Sequence, residues 1–451
     1  MRRPWRPLHF AQTRTRSDTR GHAMKFVLAS WGSRGDVEPC AAVGRELLRR
    51  GHDVHMAVPP DMVGFVESAG LTAVAYGVDT EACVEALRNF WECLFDGFWR
   101  IRSLIALWRQ ARELAMRCRS ELSTTLTSLA DGADLLFTGL VFEQPAANVA
   151  EYYDIPLTTL HYFPARANGQ LVPILPPRLI RSATTVFEWL VWRMMKKADC
   201  EERRKLGLPK VMAPTPRRIA ERGSLEIQAY DEVCFPGLAA EWAKWDGRRP
   251  FVGALTMELM TAADDAVASW IAAGTPPICF SFGSMPACSA LESLADTVGM
   301  ISAACERLGE RALVCSGWAD SSDLPHFDHV KVVGAVNFAT TFPSCRAAVH
   351  HGGAGTTAAG LRAGIPTLIL WTLPDQPMWG AQLKRLKVGS ARRFSATTVD
   401  SLVADLRQIL APEYVDRARE LASQMTKPAE SVGRAADLVE NFARLRRVGS
   451  Y

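Results

Sequence analysis

Short apolar runs ending in glycine-rich turns, each followed by a stretch of helical periodicity, recur along this chain. Residues 25–30 (KFVLAS) form the first such run, and the loop 31–35 (WGSRG) follows it. Over residues 39–50 the apolar positions Val43, Leu47 and Leu48 share one helical face, with Gly51 as the stop. Residues 54–58 read as the next strand. Strand, glycine loop, helix and strand open a doubly wound α/β unit. Residues 134–138 and 156–160 supply later strands, with a helix from about Glu143 between them.

The rhythm restarts after a polar turn at 245–250 (WDGRRP). Strands are expected at 278–282, 312–315, 330–333, 347–350 and 366–371, with a helix at 291–308. This second half is again a parallel sheet with crossover helices. Residues 413–425 and 429–446 read as closing helices. Two segments interrupt the pattern. Residues 88–112 carry Phe90, Trp91, Phe95, Phe98, Trp99 and Trp108, and residues 186–195 carry Trp189, Trp192, Met194 and Met195. Both predict helices with wide apolar faces, suited to core packing, to the wall of an apolar cleft or to a membrane surface.

Composition narrows the classes. A chain of 451 residues suits two domains, and 48% hydrophobic with 22% charged residues is ordinary for a globular protein. Of the net charge of +4, residues 1–23 supply six arginines against Asp18, so the remainder is near neutral. That excludes a global basic field for nucleic acid. Residues 1–23 contain Pro4 and Pro7 and no apolar run of signal-peptide length, so they read as a disordered basic extension. Met24 directly precedes the first strand and is the expected start; an arginine-rich tail touching anionic lipid is the other reading. The 11 cysteines are odd in number, scattered, and form no C-x-x-C pair. They imply free thiols in a reducing cytoplasm. No run of 18 uncharged apolar residues predicts a membrane span. The expected location is cytoplasmic, with peripheral contact at the inner membrane face as an extension.

The densest chemical signal is HHGGAGTT at 350–357, which follows a strand and opens a helix. Glycines 352, 353 and 355 permit a tight turn and close approach of a ligand to the backbone. The helix N-terminus offers free N–H groups and the positive end of its dipole, and Thr356 and Thr357 add hydroxyl donors. Such a turn suits a diphosphate, and it also serves as a purely structural turn. Its spacing is neither that of a P-loop nor that of a dinucleotide fingerprint. Downstream, the strand ending at Trp371 leads into Thr372-Leu373-Pro374-Asp375-Gln376. Ligands gather at the carboxyl ends of parallel strands, where an Asp-Gln pair can bind vicinal hydroxyls. Asp375 could equally act only as a helix N-cap.

Taken together, residues 350–377 (HHGGAGTTAAGLRAGIPTLILWTLPDQP) resemble the donor-site signature of family 1 GT-B glycosyltransferases. Residues 30–39 (SWGSRGDVEP) resemble the N-terminal loop of the vancomycin-class and sterol-type bacterial members. The likeness is greatest to mycobacterial glycopeptidolipid glycosyltransferases and spans 24–446. It implies an α/β GT-B fold, two Rossmann-like doubly wound domains facing across a cleft. Residues 24–245 would bind acceptor and residues 246–412 the nucleotide sugar, with helices 413–451 packing back on the first domain. It also implies roles. His351, with Gly353, Gly355, Thr356 and Thr357, would contact the donor phosphates. Asp375 and Gln376 would hold sugar hydroxyls. Val336 would read the pyrimidine edge through its backbone, and Ser284 and Trp318 would lie near the nucleoside and ribose. Asp36 would face the acceptor as general base.

The residues fit inverting chemistry, which needs one base and a stabilised diphosphate leaving group. No Asp-x-Asp motif is present, so a metal-independent reaction with no cofactor beyond the UDP- or TDP-linked sugar is expected. Asp36 could also be a turn or capping residue. His161, at a strand end, is a candidate acceptor contact or a structural histidine, and Arg34 a donor or acceptor contact or a solvated side chain. His350 reads as packing. Two departures from the family pattern stand out: Asn337 where many relatives carry His, and Pro374 before the Asp-Gln pair. The partners expected are a nucleotide sugar and a small apolar acceptor such as a glycolipid or lipopeptide, a polyketide or a sterol. A sugar-nucleotide epimerase and a non-catalytic nucleotide-binding partner protein are the competing readings. The epimerase would have no use for apolar acceptor walls, and the partner would predict loss of Asp36 or of the glycine turn.

Overall fold

The computed structural model describes residues 23–80, 83, 85–86, 89–90, 93–94, 100–171, 175–245, 247–281, 294–317, 325–373 and 376–448. Continuous apolar runs become strands buried on both faces, as parallel sheets covered by helices require. The first sheet contains β1 (Lys25–Ala29), β2 (Asp53–Val58), β3 (Thr72–Ala75), β4 (Leu135–Thr138), β5 (Leu157–His161) and β6 (Leu225–Gln228). Its order is β3-β2-β1-β4-β5-β6, and every pair is parallel. The second sheet contains β7 (Ile278–Ser281), β8 (Ala312–Cys315), β9 (Val330–Val333), β10 (Ala347–His350), β11 (Thr367–Trp371) and β12 (Gly389–Arg393). Its order, β12-β11-β10-β7-β8-β9, repeats the topology of the first, again all parallel. Strand order reverses beside β1 in one sheet and between β7 and β10 in the other. The loops after β1 and β10 therefore leave from the points where such sheets bind ligands.

The helices of the first half are α1 (Arg34–Arg49), α2 (Val63–Ser68), α3 (Ile101–Leu129), α4 (Glu143–Tyr152), α5 (Pro177–Lys205), α6 (Thr215–Glu221) and α7 (Leu238–Trp242). Those of the second are α8 (Asp264–Ala272), α9 (Leu294–Leu308), α10 (Phe338–Thr341), α11 (Ala354–Ala363), α12 (Gln376–Leu386), α13 (Val399–Ile409), α14 (Pro412–Ala422) and α15 (Pro428–Val448). Helix α1 starts five residues before the position its proline suggests. Pro39 removes one early helical bond, while Ser33 stands at the N-cap. Asp36 consequently lies in the first turn of α1 rather than in a loop. The expected helix at 186–195 is the middle of the much longer α5. Of the expected 88–112 helix, residues 101–112 belong to α3, and several of the aromatic positions before it lie outside the described residues.

The hydrophobic cores do not divide the chain at 245. Tyr230, Phe235, Leu238 and Trp242 pack with Ile369, Trp379 and Leu383 of the second half. Val252, Leu255 and Met257 then return to the first core, where Ala435, Ala436, Val439 and Ala443 of α15 join them. The closing helices separate as well. Ala418 and Leu421 of α14 pack beside Leu361 of α11, so only α15 lies on the first domain. There Arg50 bonds Asp437 at 2.7 Å and Glu440 at 2.5 Å, and His52 Nε2 meets Glu440 at 2.6 Å.

Arg362 of α11 ties these pieces together. Its guanidinium donates to the Ala254 carbonyl (2.6 Å), Thr256 Oγ1 (3.1 Å), the Thr426 carbonyl (2.9 Å) and Ser431 Oγ (3.2 Å). Arg362→Met keeps bulk but removes all four bonds. It should lower stability by about 2–3 kcal/mol in urea unfolding. A loss under about 0.5 kcal/mol would show that the crossing segments are held by packing alone.

Candidate active site

The first half of the site forms at the carboxyl end of β1. The chain turns through Gly32, whose φ of +135° only glycine adopts readily, and a β-carbon there would fall 2.3 Å from Asp36 Oδ2. The glycine thus makes room for the carboxylate. Ser33 Oγ donates to Asp36 Oδ2 at 3.2 Å, and Tyr162 Oη donates to Oδ1. Ser30 Oγ donates to the Asp36 carbonyl at 2.8 Å. Asp36 is half-buried, so both protein and solvent reach it.

Tyr162 follows β5 and begins a loop fixed from below by buried charge. Arg166 donates to Glu143 at 2.6 and 3.0 Å and also bonds Glu226. Burial alone would lift the Glu143 carboxyl, but Arg166 and His161 outweigh it and hold its pKa near 2. His161 is fully buried in this cluster, 3.2 Å from Glu143 and 3.3 Å from Gln228, and burial followed by Arg166 lowers its pKa. Of the two readings of His161, its full burial favours the structural histidine over an acceptor contact. It is the last residue of β5, still inside the layer, and the next residue is the one that emerges.

The second half of the site is the turn after β10. Gly352 has φ +101°, and a β-carbon on it would meet Ile369 Cγ2 at 2.9 Å. Gly353 lies against the His351 ring, where a β-carbon would approach Nε2 to 2.7 Å. Gly353 is also the N-cap of α11 and offers no side chain, so the first-turn N–H groups of Ala354, Gly355 and Thr356 have no helical acceptor. His351 is half-buried; burial lowers its pKa to about 4 against the opposing Ser281 backbone, and among the described residues its Nδ1 has no hydrogen-bond partner. The ring is therefore neutral near pH 7. His350 is fully buried, accepts the Gly352 N–H at 2.9 Å and titrates near 3, from burial first and then His351.

Three expected donors behave differently from one another. Thr356 is half-exposed in the first turn. Thr357 is fully buried and donates its hydroxyl to the Gly353 carbonyl at 2.9 Å, so it braces the turn instead of facing a ligand. Four residues into a helix, a threonine readily back-bonds in this way. Gln376 is buried, and its carbonyl accepts the N–H groups of Thr372 (2.8 Å) and Leu373 (3.0 Å), which leaves only its NH₂ for a ligand. Val336 is buried in a loop after β9, and its N–H and carbonyl make no hydrogen bonds among the described residues. Asn337 is the N-cap of α10: Oδ1 accepts from Ala339 N at 3.0 Å. Arg34 pairs with Glu38 at 2.8 Å and stacks over Phe65 at 5.1 Å. Ser284, Trp318 and Asp375, with Pro374, lie outside the described residues.

The two halves meet at residues 256–257. Glu38, early in α1, accepts the Met257 N–H at 2.8 Å. A β-carbon on Gly355, early in α11, would lie 4.0 Å from Thr256 Cγ2. The first turns of α1 and α11, from opposite domains, thus flank the same dipeptide. Tyr162, Glu38, Arg166 and Arg362 were not singled out by sequence reasoning. Tyr162 carried one signal, its place directly after a predicted strand.

Comparison with known proteins gives this arrangement a family. Residues 26–129 match the glycosyltransferase family 28 N-terminal domain, and residues 314–440 match the erythromycin biosynthesis protein CIII-like C-terminal domain. The chain is 61% identical over 427 residues to the glycosyltransferase Rv1524 of Mycobacterium tuberculosis, covering 94% of this chain and 100% of that one. A sterol 3-beta-glucosyltransferase of Arabidopsis thaliana is 26% identical across 93% of this chain and 68% of its own. The calicheamicin glycosyltransferase CalG4 superposes with a TM-score of 0.66 at 17% identity, over 93% and 98% of the two chains. The glycosyltransferase VinC, solved with DTDP, gives 0.60 at 20% identity, over 93% and 100%. The chain belongs to the family 1 glycosyltransferases with the GT-B fold.

The buried histidines make a pH prediction. Both titrate in the fold below the ordinary value of 6.5, at about 3 and about 4. The unfolded chain therefore binds protons first as pH falls. Their stabilisation is complete above about pH 6.5 and is lost progressively on the way down to the folded values. Unfolding free energy should fall by about 2 kcal/mol per histidine between about pH 7 and 5. His351→Gln should flatten that slope in thermal or urea melts; an unchanged slope would place the titration elsewhere.

Proposed function

We propose that this glycosyltransferase moves a hexose or deoxyhexose from a UDP- or TDP-linked donor to a hydroxyl of an apolar acceptor, with inversion at the anomeric carbon. The observation that carries the reading is the convergence of the first turns of α1 and α11 on Thr256 and Met257. It brings a half-buried carboxylate and an open helix N-terminus to the two sides of one dipeptide.

The steps follow from that placement. The donor diphosphate lies on the N–H groups at the start of α11, with neutral His351 donating from its ring and the half-exposed Thr356 hydroxyl adding to them. Gln376, through its remaining NH₂, and Asp375 take the sugar hydroxyls, and the Val336 backbone takes the pyrimidine edge. Ser284 and Trp318 border the nucleoside. Asp36 accepts the proton of the acceptor hydroxyl as its oxygen bonds to the anomeric carbon. The bond from that carbon to the diphosphate breaks on the opposite face, and the diphosphate leaves with the electron pair. Charge grows on oxygens already facing the helix N-terminus, so the reading calls for no metal. Tyr162 and Ser33 hold the carboxylate in orientation until the acceptor hydroxyl arrives.

Nucleoside diphosphate release, followed across UDP- and TDP-sugars and sterol, polyketide and glycolipid acceptors, tests the activity. The anomeric proton coupling of the product reports inversion. Asp36→Asn should lower turnover roughly 10²–10⁴-fold with nucleotide affinity retained. Near-normal turnover would remove Asp36 from the mechanism. His351→Ala should weaken donor binding, and unchanged donor affinity would remove its phosphate role. Tyr162→Phe should lower kcat about tenfold or more with donor KM unchanged; an equal effect on donor KM would make it a general packing residue.

A further inference from the structure

Helices α3, α4 and α5 run in one direction. Early in α4, Gln144 bonds Arg119 of α3 at 2.8 Å, and just past its end the Tyr153 hydroxyl reaches the Thr127 carbonyl at 2.8 Å. Along α5, Asp199 meets Asn148 at 2.9 Å and Arg203 meets Glu151 at 2.8 Å. Helix α4 begins just after β4, at the carboxyl edge of the first sheet. The stretches of α3 before Arg119 and of α5 before about Met194 therefore project past that edge, each for roughly 25 Å at the helical rise. This is the edge that carries Asp36 and Tyr162. The loop after β5 confirms the direction, since Ala167 N bonds Glu188 at 2.6 Å midway along α5.

The projecting part of α5 turns one mixed side to the protein and an apolar side to solvent. Ile180, Thr184, Glu188 and Trp192 are its buried or half-buried positions. Leu179, Val186, Phe187, Leu190 and Met194, at helical spacing on another face, are 63%, 55%, 66%, 48% and 61% exposed. Such a stripe of large side chains is far beyond the scattered apolar exposure of an ordinary surface. On α3, Ile105 and Trp108 are 45% and 41% exposed. The charge around the stripe is one-sided. Residues 101–117 and 177–197 hold nine basic and two acidic residues. Of the acidic two, Glu188 is turned inward to Ala167, and of the basic nine, Arg181 is paired with Glu241 at 2.7 Å. Arg193 lies over Trp189 at 5.8 Å and Lys196 over Trp192 at 4.9 Å, so cations border the aromatic rings.

We propose that the projecting halves of α3 and α5 form a docking surface for an anionic lipid bilayer, with the apolar stripe in the headgroup boundary and the basic residues on the lipid phosphates. The charge decides for a lipid surface over a second copy of the chain: the patch is strongly basic, so two copies would repel, while anionic headgroups complement it. The placement gives the surface a use, and here the inference rests on the apolar acceptor proposed above. Docking on this edge sets the Asp36 loop at the membrane, so an acceptor embedded in lipid reaches the site without crossing water.

The test uses the full chain with vesicles of phosphatidylcholine alone and with phosphatidylglycerol mixed in, read by flotation at low and high salt. Light scattering of the protein without lipid runs in parallel. Binding to the anionic vesicles, weakened by salt, is expected. Phe187→Asp with Leu190→Asp should cut the bound fraction about tenfold or more, and Lys196→Glu with Lys197→Glu should cut it on anionic vesicles. None of these α5 positions belongs to the nucleotide turn, so UDP or TDP binding should be unchanged in each variant and reports intact folding. Absence of binding, or equal binding to neutral vesicles, would overturn the proposal. So would a dimer in solution that the Phe187 and Leu190 changes dissociate. Vesicle binding requires no transfer, so a failure of the activity proposed above leaves this result readable by itself.

Discussion

The site depends on holding the first turns of two helices, from two domains, against one short crossing segment. Residues 254–257 are gripped from the second domain by Arg362 and from the first by Glu38. Neither grip is an ion pair; both are charge-assisted bonds to backbone or hydroxyl groups, which are short and directional. Helix ends are the right elements to bring together. Their first N–H groups are unsatisfied, and their dipoles favour negative charge. One end is left open for an anion at Gly353, and the other carries its own carboxylate at Asp36. Closing the chain twice over the junction, at 230–257 and again through α15, fixes the distance between them.

Beneath the loop after β5, a buried charge cluster does a different task. Glu143, Arg166 and Glu226 satisfy one another and press the loop after β5 onto the sheet. Such a cluster contributes modest net stability but penalises any arrangement that breaks it. It therefore fixes where Tyr162 leaves the sheet, and with it the orientation of the Asp36 carboxylate.

Much of the fold was legible because parallel strands buried on both faces are written as continuous apolar runs. The strands expected at 312–315 and 347–350 coincide with the fully buried β8 and β10, and that at 330–333 with the half-buried edge strand β9. The glycine turn was equally plain, since a positive φ at Gly352 has few alternatives in sequence. Less legible were facts set by the direction of a single side chain. Whether His161 or Tyr162 emerges from β5 turns on one residue at the strand end, and Thr357 points inward because of its helical phase. The bond between Glu38 and Met257 spans 219 positions, and no local pattern announces it. The aromatic content of 186–195 signalled a helix but not its exposed face, because periodicity alone does not say which side the protein covers.

The central claim is that the start of α11 is a diphosphate site. Calorimetric titration of the folded protein with TDP, UDP, thymidine and uridine tests it most directly. The account predicts that at least one pyrimidine diphosphate binds and that its nucleoside binds at least tenfold more weakly. It further predicts that Asp36→Asn leaves the diphosphate affinity unchanged. Equal affinity for nucleoside and diphosphate, or no binding of either diphosphate by a folded sample, would contradict it and leave the glycine turn a purely structural bend.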